Sequence, residues 1–168
     1  LELTPRAVAD MHLGSEPLVE NGPVCPAQWA MLCSFHILRG AESACALATS
    51  LTIETSLQRE TLYLPVSKTD TQALGCQRTW GCTCEGNVAR QDVCPYHAAV
   101  LLKAELIRRF GNNRRELPKG LPLFPDAQGL WCTREGFIGT LSKMAELAQV
   151  PTTDAQGRNK EGEQSWRE

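Results

Sequence analysis

The residues best suited to chemistry in this chain are crowded into one stretch, GCQRTWGCTCEGNVARQDVCPYHA, residues 75–98. Cys82-x-Cys84 is followed after nine residues by Cys94-x-x-His97. Three thiolates and an imidazole are what a tetrahedral zinc ion takes, and short-spaced ligand pairs at the two ends of a loop can close around it. Cys76 is a spare fifth candidate. Four protein ligands leave no open coordination position, so such a zinc would be structural. The competing reading is a set of free thiols in a loop. The chain has eight cysteines and opens without the basic start and apolar run of a signal peptide, so a disulfide framework is not expected. Cysteines outside the cluster read as small buried hydrophobes.

A second group is cationic. Arg39 ends the apolar run AQWAMLCSFHIL, and Glu42 follows three residues later. Lys68 lies in the turn-like PVSKTDT, and Arg167 in EQSWRE; each alone reads as an ordinary surface residue. Formal charge is −2, which makes no global case for nucleic acid. Its distribution is uneven. Residues 101–120 carry six basic and two acidic side chains, with Lys103, Arg108, Arg109, Arg114, Arg115 and Lys119 forming a candidate DNA-binding patch. The plainer reading of that patch is a solvated helix end and loop.

The elements that must position these residues follow from periodicity and breakers. Residues 1–24 read as a loose lead-in with one short helix. Pro26 suits a helix's first turn, and the pattern predicts a helix to about Leu38, then a short one over Glu42–Thr49. SLTIETSL and ETLYLPVS alternate as strands around a polar tip, Gln58-Arg59-Glu60. Pro65 places its strand at an edge or at its end. TQALGC, residues 71–76, is the candidate third strand, and residues 76–97 read as a loop. HAAVLLKAELIRRF is helical and stops at Gly111. A proline-rich connection leads to TREGFIGTLSKMAELAQV, an amphipathic helix with Thr133 as N-cap. The fold class expected is α+β, mostly helical, with helices around a small antiparallel three-stranded sheet. No apolar run reaches the length of a membrane span, so no membrane partner is expected.

The order of these parts resembles the catalytic domain of the tyrosine recombinases, the phage-integrase family, over roughly residues 25–168. LRGAE is similar to the family's first-arginine box, with Arg39 as catalytic arginine and Glu42 as its supporting carboxylate. Lys68 matches the hairpin lysine. Gln164-Ser165-Trp166-Arg167 is similar to the His-x-x-Arg box. The cysteine stretch 76–97 lies outside the general family pattern and looks like an insertion of the kind carried by eukaryotic mobile-element relatives. The resemblance implies a double-stranded DNA partner, assembly of copies on DNA, and strand cleavage and rejoining through a phosphotyrosine link. It implies no catalytic cofactor. Arg39 and Arg167 would fork onto non-bridging phosphate oxygens as charge develops there, and Lys68 would protonate the leaving 5′-oxygen.

Two departures bear on activity. Gln164 stands where the family has histidine, and an amide cannot carry a proton at neutral pH. The tyrosines are Tyr63 and Tyr96, both ahead of Arg167 and both read as structural, while the family's nucleophile lies beyond the second arginine. The polypeptide alone is therefore expected not to cleave or rejoin DNA. The expectation is a DNA-binding protein of recombinase ancestry, intracellular, and nuclear in a eukaryote. Two other readings stand beside it: a non-catalytic zinc-stabilised DNA-binding or interaction module, and a plain zinc-stabilised helical domain.

Overall fold

The structure, a computed structural model, describes residues 3–65 and 75–150. Its helices are α1 (Pro5–Asp10), α2 (Pro26–His36), α3 (Gly40–Cys45), α4 (Pro95–Phe110) and α5 (Arg134–Leu147), and its strands are β1 (Leu51–Glu54), β2 (Arg59–Leu64) and β3 (Cys76–Gly81). The class is α+β, helices around one antiparallel sheet ordered β1-β2-β3, as the alternation and helical periods predict.

The sheet's register explains its two faces. Leu51 pairs with Leu62 and Leu62 with Arg78, while Ile53 pairs with Glu60 and Glu60 with Trp80. Along β2 burial alternates, so Glu60, Leu62 and Leu64 point into the core. The opposite face carries Thr61, whose hydroxyl is 2.9 Å from that of Thr79. β2 ends at Leu64, where Pro65 has no N–H to extend the ladder. The third described strand shares only Cys76 with the candidate TQALGC. It is Cys76–Gly81, inside the stretch read as a cysteine-rich loop, because the alternating Cys76, Arg78 and Trp80 supply the inward-facing row against β2. Residues 71–74 lie outside the described residues.

The main core is a cluster built on Trp29 and Leu32 of α2, Leu62 of β2, Leu102 and Leu106 of α4, and Met144 of α5. Trp29 stacks on Phe137 with ring centroids 5.2 Å apart. α2 starts at Pro26 as expected, but stops at His36, and α3 begins at Gly40 rather than Glu42. α5 opens at the expected N-cap, where Thr133 Oγ1 accepts from Gly136 N at 3.0 Å.

The lead-in is packed rather than loose. Cys25 N donates to Ser15 O and Val24 N to Pro125 O, each at 2.9 Å, and Val8 is buried. The proline-rich connection is likewise part of the core. Leu121, Leu123 and Phe124 are buried, Leu123 N donates to Ala46 O at 2.8 Å, and Asp126 Oδ1 accepts from Gln128 N and Leu130 N, a side-chain turn that reverses the chain toward α5. Among the described residues no helix is long and apolar enough to cross a membrane.

Candidate metal centre and the arginine after α2

Cys82 and Cys84 leave the end of β3; Cys94 and His97 sit at the start of α4. The chain between them is folded by local rules. Glu85 and Gly86 both take left-handed backbone (φ 49° and 77°), and Asn87 N donates to Cys84 O at 2.8 Å, closing a tight turn directly after the second ligand. Asn87 Oδ1 then accepts from Ala89 N at 3.0 Å, opening a 3-10 segment, Val88–Val93. Cys94 is the N-cap of α4 and Pro95 is its first residue, which places His97 in the helix's first turn.

The four ligand atoms all lie within 4.8 Å of one another. Cys82 Sγ is 3.9 Å from Cys94 Sγ and 3.8 Å from His97 Nδ1, and Cys84 Sγ is 3.4 Å from His97 Nδ1. A tetrahedron with Zn–S about 2.3 Å and Zn–N about 2.0 Å has S···S edges of about 3.8 Å and S···N edges of about 3.5 Å. These three separations lie close to those edges. Backbone amides also face the sulfurs: Thr83 N reaches Cys94 Sγ and Cys84 N reaches Cys82 Sγ, both at 3.4 Å, as donors to thiolates do.

The electrostatics of the bare cluster point the same way. Burial, then hydrogen bonding to the neighbouring thiols, pushes Cys84 up to about 12. Burial also raises Cys94, but hydrogen bonds from His97 and Thr83 outweigh it and bring the thiol down to about 6. Three sulfurs this close cannot all be anionic without a cation between them; a divalent ion removes the conflict. Cys84, Cys94 and Tyr96 form a separate small core, with Ile53, Cys82 and Val100 packed on it. The Cys3His group is thus positioned to bind a metal ion such as zinc, and its residues fit one. Cys76 is elsewhere: it pairs with Leu64 in the sheet and does not belong to the group. The remaining cysteines are free, with Cys25 and Cys33 buried.

Arg39 follows α2 and caps α3. Its N–H donates to Glu42 Oε2 at 3.0 Å, so Glu42 supplies the carboxylate arm of a capping box. A guanidinium has no acceptor to return the bond. Arg39 is exposed, and its guanidinium has no ion-pair or hydrogen-bond partner among the described residues. Glu42 is 5% exposed and lies 3.9 Å from Arg78 Nη2. Sequence reasoning did not single out Arg78; its inward position opposite Leu62 was hidden by reading residues 76–97 as a loop. Lys68, Gln164 and Arg167 lie outside the described residues.

The basic stretch divides in two. Lys103 Nζ donates to Leu51 O at 2.8 Å and Ala48 O at 3.2 Å, and burial lowers its pKa. Arg108 and Arg109 both bind Glu105; hydrogen bonding to Arg108 is the main cause that holds the Glu105 carboxyl down at about 2. Arg109 also binds Ser15 and Glu16. Arg114, Arg115 and Lys119 are exposed in the following loop. Tyr96 is buried beside the cluster. Tyr63 stands on the solvent face of β2 and packs over Gly75, where an added Cβ would come within 2.6 Å of its hydroxyl. Comparison with protein-family models, curated proteins and solved structures finds no match for this chain.

Proposed function

We propose that this chain is a DNA-binding module of tyrosine-recombinase descent whose fold is closed by one structural zinc ion. The zinc part rests on the cluster of Cys82, Cys84, Cys94 and His97, with ligand atoms within 4.8 Å of one another. Bound there, the ion joins the end of β3 to the start of α4 and neutralises the thiolates. With four protein ligands it has no open position and takes no part in chemistry.

The DNA part rests on Arg39: a solvent-facing guanidinium not engaged elsewhere in the described fold, held at the junction of α2 and α3 by a buried carboxylate. A fork of N–H donors in that setting fits a phosphodiester's non-bridging oxygens. The resemblance to the recombinase boxes supplies the phosphate as ligand, with Lys68, Gln164 and Arg167 as its further contacts. Arg114, Arg115 and Lys119 are the basic residues left to meet flanking phosphates. Strand cleavage in that family needs a tyrosine nucleophile, and the reading gives that role to neither Tyr63 nor Tyr96. Copies of the chain would meet on DNA as the relatives do.

A second reading keeps the zinc and drops the phosphate clamp: an interaction module of another kind. It is favoured by the engagement of Lys103 and Arg109 within the fold. Titration of a labelled mixed-sequence DNA duplex across a salt series separates the two. Arg39→Ala is expected to weaken binding about tenfold and to lower the slope of log K against log salt by about one. Unchanged affinity and slope would leave the interaction module standing instead.

A further inference from the structure

The chain between α2 and α3 is held from an unexpected side. α2 ends in a Schellman-type closure: Leu38 N donates to Cys33 O at 2.9 Å and Ile37 N to Ser34 O at 3.3 Å. The residue forced into left-handed backbone there is Ile37, at φ 51°, a β-branched side chain where glycine is the usual occupant. Nothing local favours that conformation. The last carbonyls of the helix are instead met by β3. Arg78 Nη1 donates to His36 O, and also to Ile37 O at 3.3 Å. Trp80 Nε1 donates to Phe35 O at 3.0 Å, its ring set edge-on to Phe35 with centroids 5.4 Å apart. The other arm of Arg78 faces Glu42, whose second oxygen holds the Arg39 N–H.

Arg78 therefore touches both sides of the junction from which Arg39 projects. We propose that Arg78, assisted by Trp80, is a positioning residue for Arg39: it fixes His36 and Ile37, three and two residues before Arg39, through their carbonyls, and Arg39 itself through Glu42. The Arg78 guanidinium is spent on those contacts, with its side chain 29% exposed, and it acts on a phosphate through Arg39. This inference rests on the phosphate-binding reading of Arg39. It makes the sheet, rather than the helix that carries Arg39, the part that sets where its charge is presented. A strained backbone held by surrounding contacts beside a functional residue is the usual setting for such pre-organisation.

The test is a double-mutant cycle on binding of the same labelled duplex by the full chain, with Arg39→Ala, Arg78→Ala, Arg78→Lys and Trp80→Phe, each variant's melting being recorded. Trp80→Phe keeps the ring and removes the donor, so it serves if Arg78→Ala does not fold. Arg78→Ala and Trp80→Phe are expected to weaken binding at least about threefold when Arg39 is present and to have no further effect when it is absent. Arg78→Lys, which retains a donor, should recover part of the loss. Equal losses in both backgrounds would show Arg78 or Trp80 touching DNA directly, or a general loss of fold, and would overturn the positioning role while leaving Arg39 as a phosphate ligand. No loss from either variant would overturn it too. If Arg39→Ala itself changes nothing, the phosphate reading fails and this inference falls with it.

Discussion

Ile37 is the residue at which local chemistry and tertiary contact pull apart. It is 78% exposed, so its side chain contributes little packing, yet its backbone is left-handed, at a cost of about 1 kcal/mol for a residue with a Cβ. Ile37→Gly should therefore stabilise the protein by about 1 kcal/mol in urea unfolding, because glycine takes that backbone freely. Destabilisation would mean the strain is absent or that the side chain packs in a way the structure does not show. The same scale shows what sequence can reveal. Cys82, Cys84, Cys94 and His97 were legible because ligand type and spacing carry the signal by themselves. Arg78 was not. Its importance comes from facing the end of a helix some forty residues earlier in the chain, and no local pattern encodes that. Cys76 misled for the converse reason: it is near the cluster in sequence, but strand pairing holds it against Leu64.

Among the elements, β2 carries the least expected residue. Glu60, paired across the sheet with Ile53 and Trp80, is fully buried, and its Oε1 lies 2.7 Å from Nε2 of the equally buried His36. The pair ties the end of α2 to the centre of the sheet. Among the described residues it is only half satisfied, since His36 Nδ1 and Glu60 Oε2 have no partner there. Two consequences follow from the cost of burying polar groups. Glu60→Leu or His36→Leu alone strands the remaining group and should cost about 3 kcal/mol, while the double replacement should restore most of that loss. Urea unfolding of the three variants measures it; additive losses would show that the two side chains do not depend on each other. Sequence alternation placed Glu60 in the polar tip of the hairpin because a carboxylate is ordinarily read as exposed. A third strand was expected, but its run through Gly81 was not read, because a metal-loop reading of residues 76–97 masked the alternation of Cys76, Arg78 and Trp80. The long helices were legible, since α4 and α5 are set by strong periodicity with a proline start and a threonine cap.

For the whole molecule, the same few contacts serve both stability and presentation of charge. α2 and α4 pack in one core with the sheet. The Cys3His group fastens the far end of that sheet to the head of α4, and β3 then reaches the tail of α2, from which Arg39 emerges. The lead-in is bound to α4 through Arg109, Ser15 and Glu16, so part of the basic stretch that invited a DNA reading is committed to the fold. Composition and net charge could not have separated those roles, because they count charges without their partners.

The measurement that bears most directly on this account is metal content by native mass spectrometry, made on the purified chain and on Cys84→Ser, with thermal melting before and after chelation. One zinc per chain, lost in Cys84→Ser, and a melting temperature that falls on chelation and returns with added zinc are expected. The free energy of a structural zinc site, about 10 kcal/mol or more, is folding free energy where no site exists in the unfolded chain. A metal-free chain that melts cooperatively at the same temperature with and without zinc would contradict the account, and would return the four side chains to the status of free thiols beside a histidine.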